Sequence, residues 1–331
     1  MLNNLILYIC LCFFLLLFFA TFSYKLNLLD YPTKRKIHTK PTAYTGGLAI
    51  STTLLISLFL FNFYNEDLNF ILSISFLVAI IGTIDDKFQL NIVSKLCLQT
   101  IPIFYLIIIQ NIVLVDIGDY NYFKLNLGNF SIFFTLFCVL FLINAFNYFD
   151  GADGTLSFTT ISVLFLLHFL LVDENIRLFL IILLLPLCIF LCFNFSIFKL
   201  PKTFLGDGGS LLLGFIISFF LIFLANKKIL EPILLAWSVV IFVYEFLSLN
   251  LIRFNNNKKI FQAGKDHLHH ILIKKTKSIF LTNCLMFFSN IILFYIGYAS
   301  FKLVNQFFSL ILFIILFIIF FIFRSRYSII K

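Results

Sequence analysis

Eleven apolar runs occupy most of this chain. They lie at about residues 2–22, 46–61, 70–84, 96–115, 130–146, 155–172, 178–198, 210–225, 232–252, 279–299 and 306–323. A helix needs roughly 20 apolar residues to cross a bilayer, and most of these runs come near that. The hydrocarbon offers no water to backbone N–H and C=O groups, so a spanning segment must be a helix or part of a closed barrel. These runs are continuous, without the period-two alternation of a barrel strand. The chain is 62% hydrophobic and 12% charged, with a mean hydropathy of +1.07. A soluble globule of that composition would expose large apolar patches. The expected fold is therefore all-α: a polytopic integral membrane helical bundle of about 11 transmembrane helices. Ten is the alternative, because the 70–84 and 210–225 runs are short. The chain reads as one integral membrane domain over residues 1–331. Residues 5–22 exceed a signal-peptide core and lack a basic leader, so they read as the first span.

The seven cysteines all lie in apolar runs, without a CxxC pair or a Cys/His spacing typical of a metal site. They read as small buried hydrophobes in a helical bundle. His168, alone in an apolar run, reads as a packed helix residue.

The segments between runs alternate in charge. Nineteen of the 24 basic residues fall in one set: Lys25 to Lys40, Lys87 and Lys95, Lys199 and Lys202, Arg253 to Lys277, and Arg324 to Lys331. The positive-inside rule places that set in the cytoplasm. Eleven spans then put the N-terminus outside and the C-terminus inside. The net charge of +9 is accounted for as topology, with no nucleic-acid partner. Eight of the 13 glycines sit in the segments that this topology places inside, the segment between the 130–146 and 155–172 runs included, so any chemistry is expected on those cytoplasmic loops.

Five of those segments carry polar constellations. The first, from Asp30 to Gly47, holds Lys36, His38 and Lys40 and ends on Gly46-Gly47. Its cations suit phosphate, though a basic loop touching anionic lipid looks the same. The second has Asp85-Asp86 at the end of an apolar run, with Lys95 and Gln99 following. Adjacent carboxylates repel unless a cation or proton intervenes. On a helix they point about 100° apart, so their roles should differ. The third places Asn144, Asn147, Asp150 and Asp153 at every third position, a shared face on a helix or 3₁₀ turn. Their oxygens suit Mg²⁺. The fourth, Gly206-Asp207-Gly208-Gly209-Ser210, leads into an apolar helix whose N-terminus can receive an anion. The bland alternative is a turn capped by Ser210. The fifth holds His267, His269 and His270 beside Lys265 and Arg253. The histidines could ligate a metal or donate hydrogen bonds to a diphosphate. Helical spacing would put His267 and His270 on one face and His269 elsewhere, in a wet loop.

Taken together in this order, these segments resemble the polyprenyl-phosphate N-acetylhexosamine-1-phosphate transferases of glycosyltransferase family 4. The likeness covers about residues 30–270. It rests on Asp30-x-Pro-x-x-Arg35-Lys36-x-His38, Gly46-Gly47, Gly82-x-x-Asp85-Asp86, the Asn144 to Gly154 series, Gly206-Asp207-x-Gly209-Ser210 and His267-Leu-His269-His270. The His-x-His-His form resembles the bacterial branch acting on UDP-GlcNAc rather than the peptidoglycan branch. The chain departs from the family pattern at Ala43-Tyr44, Gly264 and Glu245.

The resemblance implies transfer of a HexNAc-1-phosphate from a UDP-N-acetylhexosamine, UDP-GlcNAc first, to undecaprenyl or another polyprenyl phosphate, with release of UMP. The product would open cell-surface polysaccharide synthesis, such as that of O-antigen. It implies Mg²⁺, with Mn²⁺ able to substitute, held by Asp207 and Asn147. Asp85, Asp86, Asp150 and Asp153 are the implied catalytic residues. Lys36, His38, Lys40, Lys95, Arg253, His267, His269 and His270 are the implied phosphate-binding residues. The location implied is the inner (plasma) membrane, with a homodimer allowed. The alternatives are phospho-MurNAc-pentapeptide transfer, another lipid-phosphate enzyme such as a phosphatase, and a transporter. The near absence of mid-span ionisable residues argues against the transporter.

Overall fold

A computed structural model describes residues 2–32, 40–61, 63–120, 122–258, 264 and 266–329. Thirteen α-helices dominate these residues. In chain order they begin with α1 (Leu2–Leu26), α2 (Gly46–Leu60), α3 (Glu66–Phe88), α4 (Ile92–Phe104), α5 (Ser131–Asn147) and α6 (Thr155–Leu170). Then come α7 (Glu174–Asn194), α8 (Gly206–Asn226), α9 (Pro232–Ser238), α10 (Val240–Asn255), α11 (Leu268–Thr276), α12 (Ile279–Leu303) and α13 (Gln306–Ile329). Two small antiparallel ribbons complete the fold. β1 (Leu29–Asp30) pairs with β2 (Thr42–Ala43), and β3 (Asp116–Asp119) pairs with β4 (Lys124–Asn126). The chain is thus all-α apart from these ribbons.

Every apolar run forms a helix, but the runs are not equal. Eight helices are long and apolar enough to cross a membrane, nine if the bent pair α9–α10 counts as one span. α2 and α6 are shorter apolar helices of 15 and 16 residues. At 1.5 Å per residue, 16 residues reach only about 24 Å, less than the hydrocarbon thickness of about 30 Å. The expected eleven spans therefore include two short helices and one broken one.

Local chemistry sets the helix ends. Asn65, Asn91, Asp173 and Ser278 each accept a backbone N–H from the first turn of α3, α4, α7 and α12. Such side-chain caps satisfy donors that a helix start leaves open. Pro102 lies inside α4, and the helix widens directly afterwards into a π-turn over Tyr105–Ile109. The apolar window of α8 is 94% buried and that of α13 only 6%. An all-round apolar sequence is packed inside protein in the first case and open to lipid in the second.

The chain divides into two compact units. The first comprises Met1–Asn111 and His168–Phe220, and the second Ile112–Leu167 and Leu221–Lys331. In the first, α2 packs against α1, α3 and α7, and α3 packs against α4. In the second, α10 packs against α5, α12 and α13, and α11 packs against α12. Within that unit α9 and α10 meet at a 74° bend. Asn290 of α12 closes the gap in the backbone ladder. Its Oδ1 accepts the Ile241 N–H at 3.3 Å, and its Nδ2 donates to the Ser238 carbonyl at 3.0 Å and to Ser162 Oγ at 2.9 Å. A helix break in an apolar setting persists only where freed groups find such partners.

All seven cysteines are free. Cys12 is buried, whereas Cys10, Cys97 and Cys188 are exposed on their helices, so the expectation of buried hydrophobes holds for only part of the set. His168 is half-buried in α6.

Candidate active site

The first unit gathers Asp85, Asp86, Lys95 and Asp207. α3 ends on Gln89, whose left-handed backbone (φ 50°) donates its N–H to the Asp85 carbonyl at 2.7 Å. The chain then turns into α4, one turn of which brings up Lys95. Lys95 Nζ lies 2.7 Å from Asp85 Oδ2 and donates to Asp207 Oδ2. Asp85 is buried, and its other oxygen accepts the Leu90 N–H at 2.9 Å. Asp86 points elsewhere: its Oδ2 accepts the Gly208 N–H at 3.4 Å. The two adjacent aspartates thus have different partners, as their angular separation on a helix requires.

Backbone pairing fixes the turn that carries Asp207. Phe204 donates its N–H to the Ala43 carbonyl at 2.7 Å. Gly46 and Gly47 donate to the carbonyls of Phe204 and Leu205 at 3.0 and 2.9 Å. α8 starts at Gly206, and Ser210 lies inside it rather than capping it. Gly82 of α3 sits directly on this turn: a Cβ there would stand 2.5 Å from the Gly208 nitrogen. Lys40 is exposed beside β2. Lys36 and His38 lie outside the described residues.

Among the described residues no group of three or more His, Cys, Asp or Glu side chains is arranged to hold a metal ion. Magnesium seldom needs such a cage. It is commonly held by one or two carboxylates with substrate phosphates and water. Two carboxylate oxygens, from Asp85 and Asp207, already converge on one cationic group, the Lys95 ammonium. Hard oxygen donors gathered around a positive charge fit a divalent ion.

The second unit gathers Asn147, Asp150, Asp153, Arg253 and the three histidines. α5 tightens as it ends. Phe149 and Asp150 donate to carbonyls three residues back, at 2.9 and 3.2 Å. This 3₁₀-like spacing keeps Asn147 and Asp150 in line, but Asp153 falls in the following turn. Asn283 of α12 braces that turn, donating to the Asp153 carbonyl and accepting from Thr155 Oγ1, both at 2.8 Å.

α10 supplies Arg253, whose Nε and Nη2 form a parallel pair of bonds to Asp266 at 3.0 and 2.8 Å. The guanidinium also lies 5.7 Å from the Tyr148 ring centre, and Tyr148 Oη donates to Asn250 Oδ1 at 3.0 Å. Tyr148 packs edge-on against His267, with ring centres 4.9 Å apart. Burial, only partly offset by Arg253, pushes the Tyr148 phenol up to about 12.

His267 is the N-cap of α11, with extended backbone, so helical spacing does not apply to it. The expectation that His269 projects away from the other two fails for that reason. His269 sits 4.2 Å from the His270 ring and 5.5 Å from the His267 ring, whereas His267 and His270 are 6.2 Å apart. Nor is the cluster wet: His269 is 2% exposed. Its Nε2 occupies the space where a side chain at Gly151 would begin, which joins the histidine helix to the Asn147–Asp153 turn. Burial, then the nearby Arg253 charge, lowers His267 to about 3. Burial and the neighbouring His270 hold His269 well below the usual histidine range. Both rings are therefore neutral at pH 7 and can act only as neutral hydrogen-bond groups. Among the described residues, His267 Nδ1 and His269 Nε2 are buried ring nitrogens without a hydrogen-bond partner. Buried polar atoms in that state are uncommon and often serve a ligand.

Two further side chains were not among the sequence candidates. Glu245 of α10 and Arg324 of α13 form a buried ion pair beside the histidines. Arg324 reads in the sequence as one more juxtamembrane charge.

The family model for glycosyl transferase family 4 matches residues 68–225. The undecaprenyl-phosphate alpha-N-acetylglucosaminyl 1-phosphate transferase of Escherichia coli (strain K12) is 24% identical over 268 residues, covering 78% of this chain and 73% of that protein. The protein of that name from Yersinia pestis is 23% identical over 257 residues, 76% of this chain and 70% of its own length. A probable undecaprenyl-phosphate N-acetylglucosaminyl 1-phosphate transferase of Bacillus subtilis (strain 168) is 27% identical over 257 residues, 75% and 70% respectively. With an apolar helical bundle, an acidic cluster on one unit and a histidine helix on the other, the chain is similar to glycosyl transferase family 4 over residues 68–225, and over most of its length to undecaprenyl-phosphate N-acetylglucosaminyl 1-phosphate transferases.

Proposed function

We propose that the protein transfers N-acetylglucosamine-1-phosphate from UDP-GlcNAc to undecaprenyl phosphate and releases UMP. The names of its relatives support this reading. The observation that carries it is the shared hold of Lys95 on Asp85 and Asp207 at the start of α8. An oxygen of the lipid phosphate attacks the sugar-bearing phosphorus of the donor. A new P–O bond forms and the bond to the bridging pyrophosphate oxygen breaks, with both electrons leaving on UMP. A phosphate monoester has its second pKa near ~6, so the acceptor is largely a dianion at neutral pH and needs no base. Asp85 is then assigned to holding Lys95 and the α3–α4 turn.

Asp207 would hold a divalent ion, Mg²⁺ with Mn²⁺ as substitute, and such an ion when bound supplies charge compensation to the phosphates. The Asn147 side-chain oxygen is a second candidate donor. Lys95 passes from carboxylate to phosphate as the anion arrives. On the second unit, Asp150 and Asp153 shape the nucleotide-sugar site, His267, His269 and His270 donate N–H bonds to the diphosphate, and Arg253 holds the loop beside them through Asp266. Lys36, His38 and Lys40 add cations from the first loop.

In the cell the reading calls for a multi-pass plasma-membrane protein with its N-terminus outside and its C-terminus in the cytoplasm. Cysteines introduced near residues 66 and 174 should label from outside, and one at residue 264 only after permeabilisation. The deciding assay is purified protein with undecaprenyl phosphate, Mg²⁺ and a panel of UDP-sugars. UMP release with UDP-GlcNAc supports the proposal. Release only with UDP-MurNAc-pentapeptide would move the protein to the peptidoglycan reaction, and release with none would sink it.

A further inference from the structure

Arg324 stands near the end of α13, the helix with the least buried apolar window, and yet is itself only 2% exposed. Its Nε donates to Glu245 Oε2 at 3.0 Å and its Nη2 to Glu245 Oε1 at 3.1 Å. Nη2 also donates to the backbone carbonyl of Asp266. Glu245 is 1% exposed, and its Oε1 accepts the Leu268 N–H at 2.8 Å, the first backbone donor of α11. The pair therefore grips the chain on both sides of His267, at the carbonyl before it and the amide after it. A buried ion pair is a poor source of net stability, because desolvation offsets most of the attraction. Of the two arginines at the end of α13, Arg326 is exposed and Arg324 is turned into the protein. Among the described residues, the backbone these two side chains hold from outside their own helices is the segment leading into the histidine helix.

We infer that Arg324 is a positioning residue: with Glu245 it clamps the Asp266–Leu268 backbone and so sets the three histidines against the Gly151 turn. The inference rests on the transfer reaction proposed above for its catalytic consequence, though the clamp itself does not. Arg253 acts on the same loop through the Asp266 side chain, so backbone and side chain of Asp266 are held by different arginines. Small displacements of groups that contact a reacting phosphate are costly, with about 1 Å capable of a hundredfold loss.

The test compares Arg324→Met, Arg324→Lys and the double variant Glu245→Gln/Arg324→Met in the purified full chain. Hydrogen–deuterium exchange of residues 266–271 reads the clamp, thermal stability reads the fold, and UMP release reads the reaction. Arg324→Met should speed exchange in 266–271 and lower kcat about tenfold or more, while KM for the lipid phosphate stays within about twofold. Arg324→Lys keeps the charge but loses the fork, and should fall between. The double variant leaves no unpaired buried charge, so its stability should recover while exchange stays fast and turnover stays low. Unchanged exchange in 266–271 for Arg324→Met overturns the clamp. Turnover returning with stability in the double variant overturns the positioning role and leaves a merely structural pair. Because exchange needs no turnover, a wild-type protein that releases no UMP would defeat the proposed function and still leave the clamp decided.

Discussion

Arg253 gives Asp266 two parallel hydrogen bonds, Nη2 to Oδ1 at 2.8 Å and Nε to Oδ2 at 3.0 Å, and Arg253 is 3% exposed while doing so. Planar guanidinium and carboxylate match in this way, and the charge strengthens both bonds. Burial alone would raise Asp266, but the Arg253 hydrogen bonds and charge override it and hold the carboxyl at about 2. A donor diphosphate approaching Arg253 would meet a guanidinium already committed to Asp266.

The pH dependence of stability follows from these groups. A carboxyl lowered by folding stabilises above its unfolded value near 3.8, and that contribution is lost as pH falls through about 2. A histidine lowered by folding acts in the same direction. His267 stays neutral in the fold down to about 3, whereas the unfolded chain takes up a proton near 6.5. The unfolded state binds more protons across that window, so stability falls on acidification from about 6.5 to 3. Solubilised protein should therefore lose melting temperature steadily below pH 6.5. A His267→Gln variant should show a shallower slope between pH 6 and 4. An unchanged slope would mean that His267 titrates normally in the folded protein.

Asp207 and Lys95 make a second prediction. EDTA should abolish UMP release, and Mg²⁺ or Mn²⁺ should restore it. Asp207→Asn keeps the shape and loses the charge that would hold the ion, so turnover should drop at least about a hundredfold, or roughly 2.7 kcal/mol of transition-state stabilisation, while insertion is preserved. Lys95→Met should impair activity as well, since it leaves Asp85 and Asp207 facing each other without their shared ammonium. Near-normal turnover for Asp207→Asn would place the ion elsewhere.

How much was legible beforehand divides along one physical line. Asp85-Asp86 at the end of an apolar run and Gly206-Asp207-Gly208-Gly209 at the start of one are local signals, because charge and glycine at a helix end stand out against hydrocarbon. The structure brings Asp85, Lys95 and Asp207 together as chemistry at a helix end would suggest. Single polar residues inside apolar runs carry no such signal. Glu245, Asn283 and Asn290 look alike in sequence, yet one joins an ion pair, one braces the Asp153 turn and one mends a broken helix. The 74° bend after Ser238 has neither proline nor glycine to announce it. The groups it frees are met by Asn290, 49 residues beyond Ile241. The histidines were legible as a cluster but not in their geometry, because the helix begins one residue later than their spacing assumes.

Gly82 tests the packing between α3 and the Asp207 turn. Its missing side chain lets the α3 backbone touch the start of α8, and a Cβ would stand 2.5 Å from the Gly208 nitrogen. Neither side can yield easily, since both are helix backbone. Gly82→Ala should push the turn outward and part Asp207 from Lys95, with a stability cost of about 1–3 kcal/mol, as overpacking usually brings. Raised Mg²⁺ should restore little of the lost activity, because the carboxylate is displaced rather than discharged. Full rescue by Mg²⁺ would show that the turn tolerates the methyl group.

The histidine cluster gives the last prediction. Breaking the pyrophosphate builds negative charge on UMP, and hydrogen-bond donors fixed at that position stabilise the transition state more than the ground state. His269 is buried against Gly151 with Nε2 unpartnered, and it is neutral at pH 7, so it can offer one N–H without first giving up a proton or a strong bond. His269→Ala should lower kcat at least about tenfold, roughly 1.4 kcal/mol, and should leave a small cavity beside Gly151. His269→Gln can still present an N–H to that spot and should recover part of the loss, which a cavity effect alone would not allow. His270 is half-buried and its ring lies 4.2 Å from that of His269, so His270→Ala should cost less. The activity of wild-type protein should stay flat from pH 6 to 8 as far as His267 and His269 are concerned, because a ring held well below the usual range does not change charge there. If all three alanine variants kept kcat and donor KM within about twofold, the cluster would be packing only, and the reaction would rest on the Asp85, Lys95 and Asp207 group.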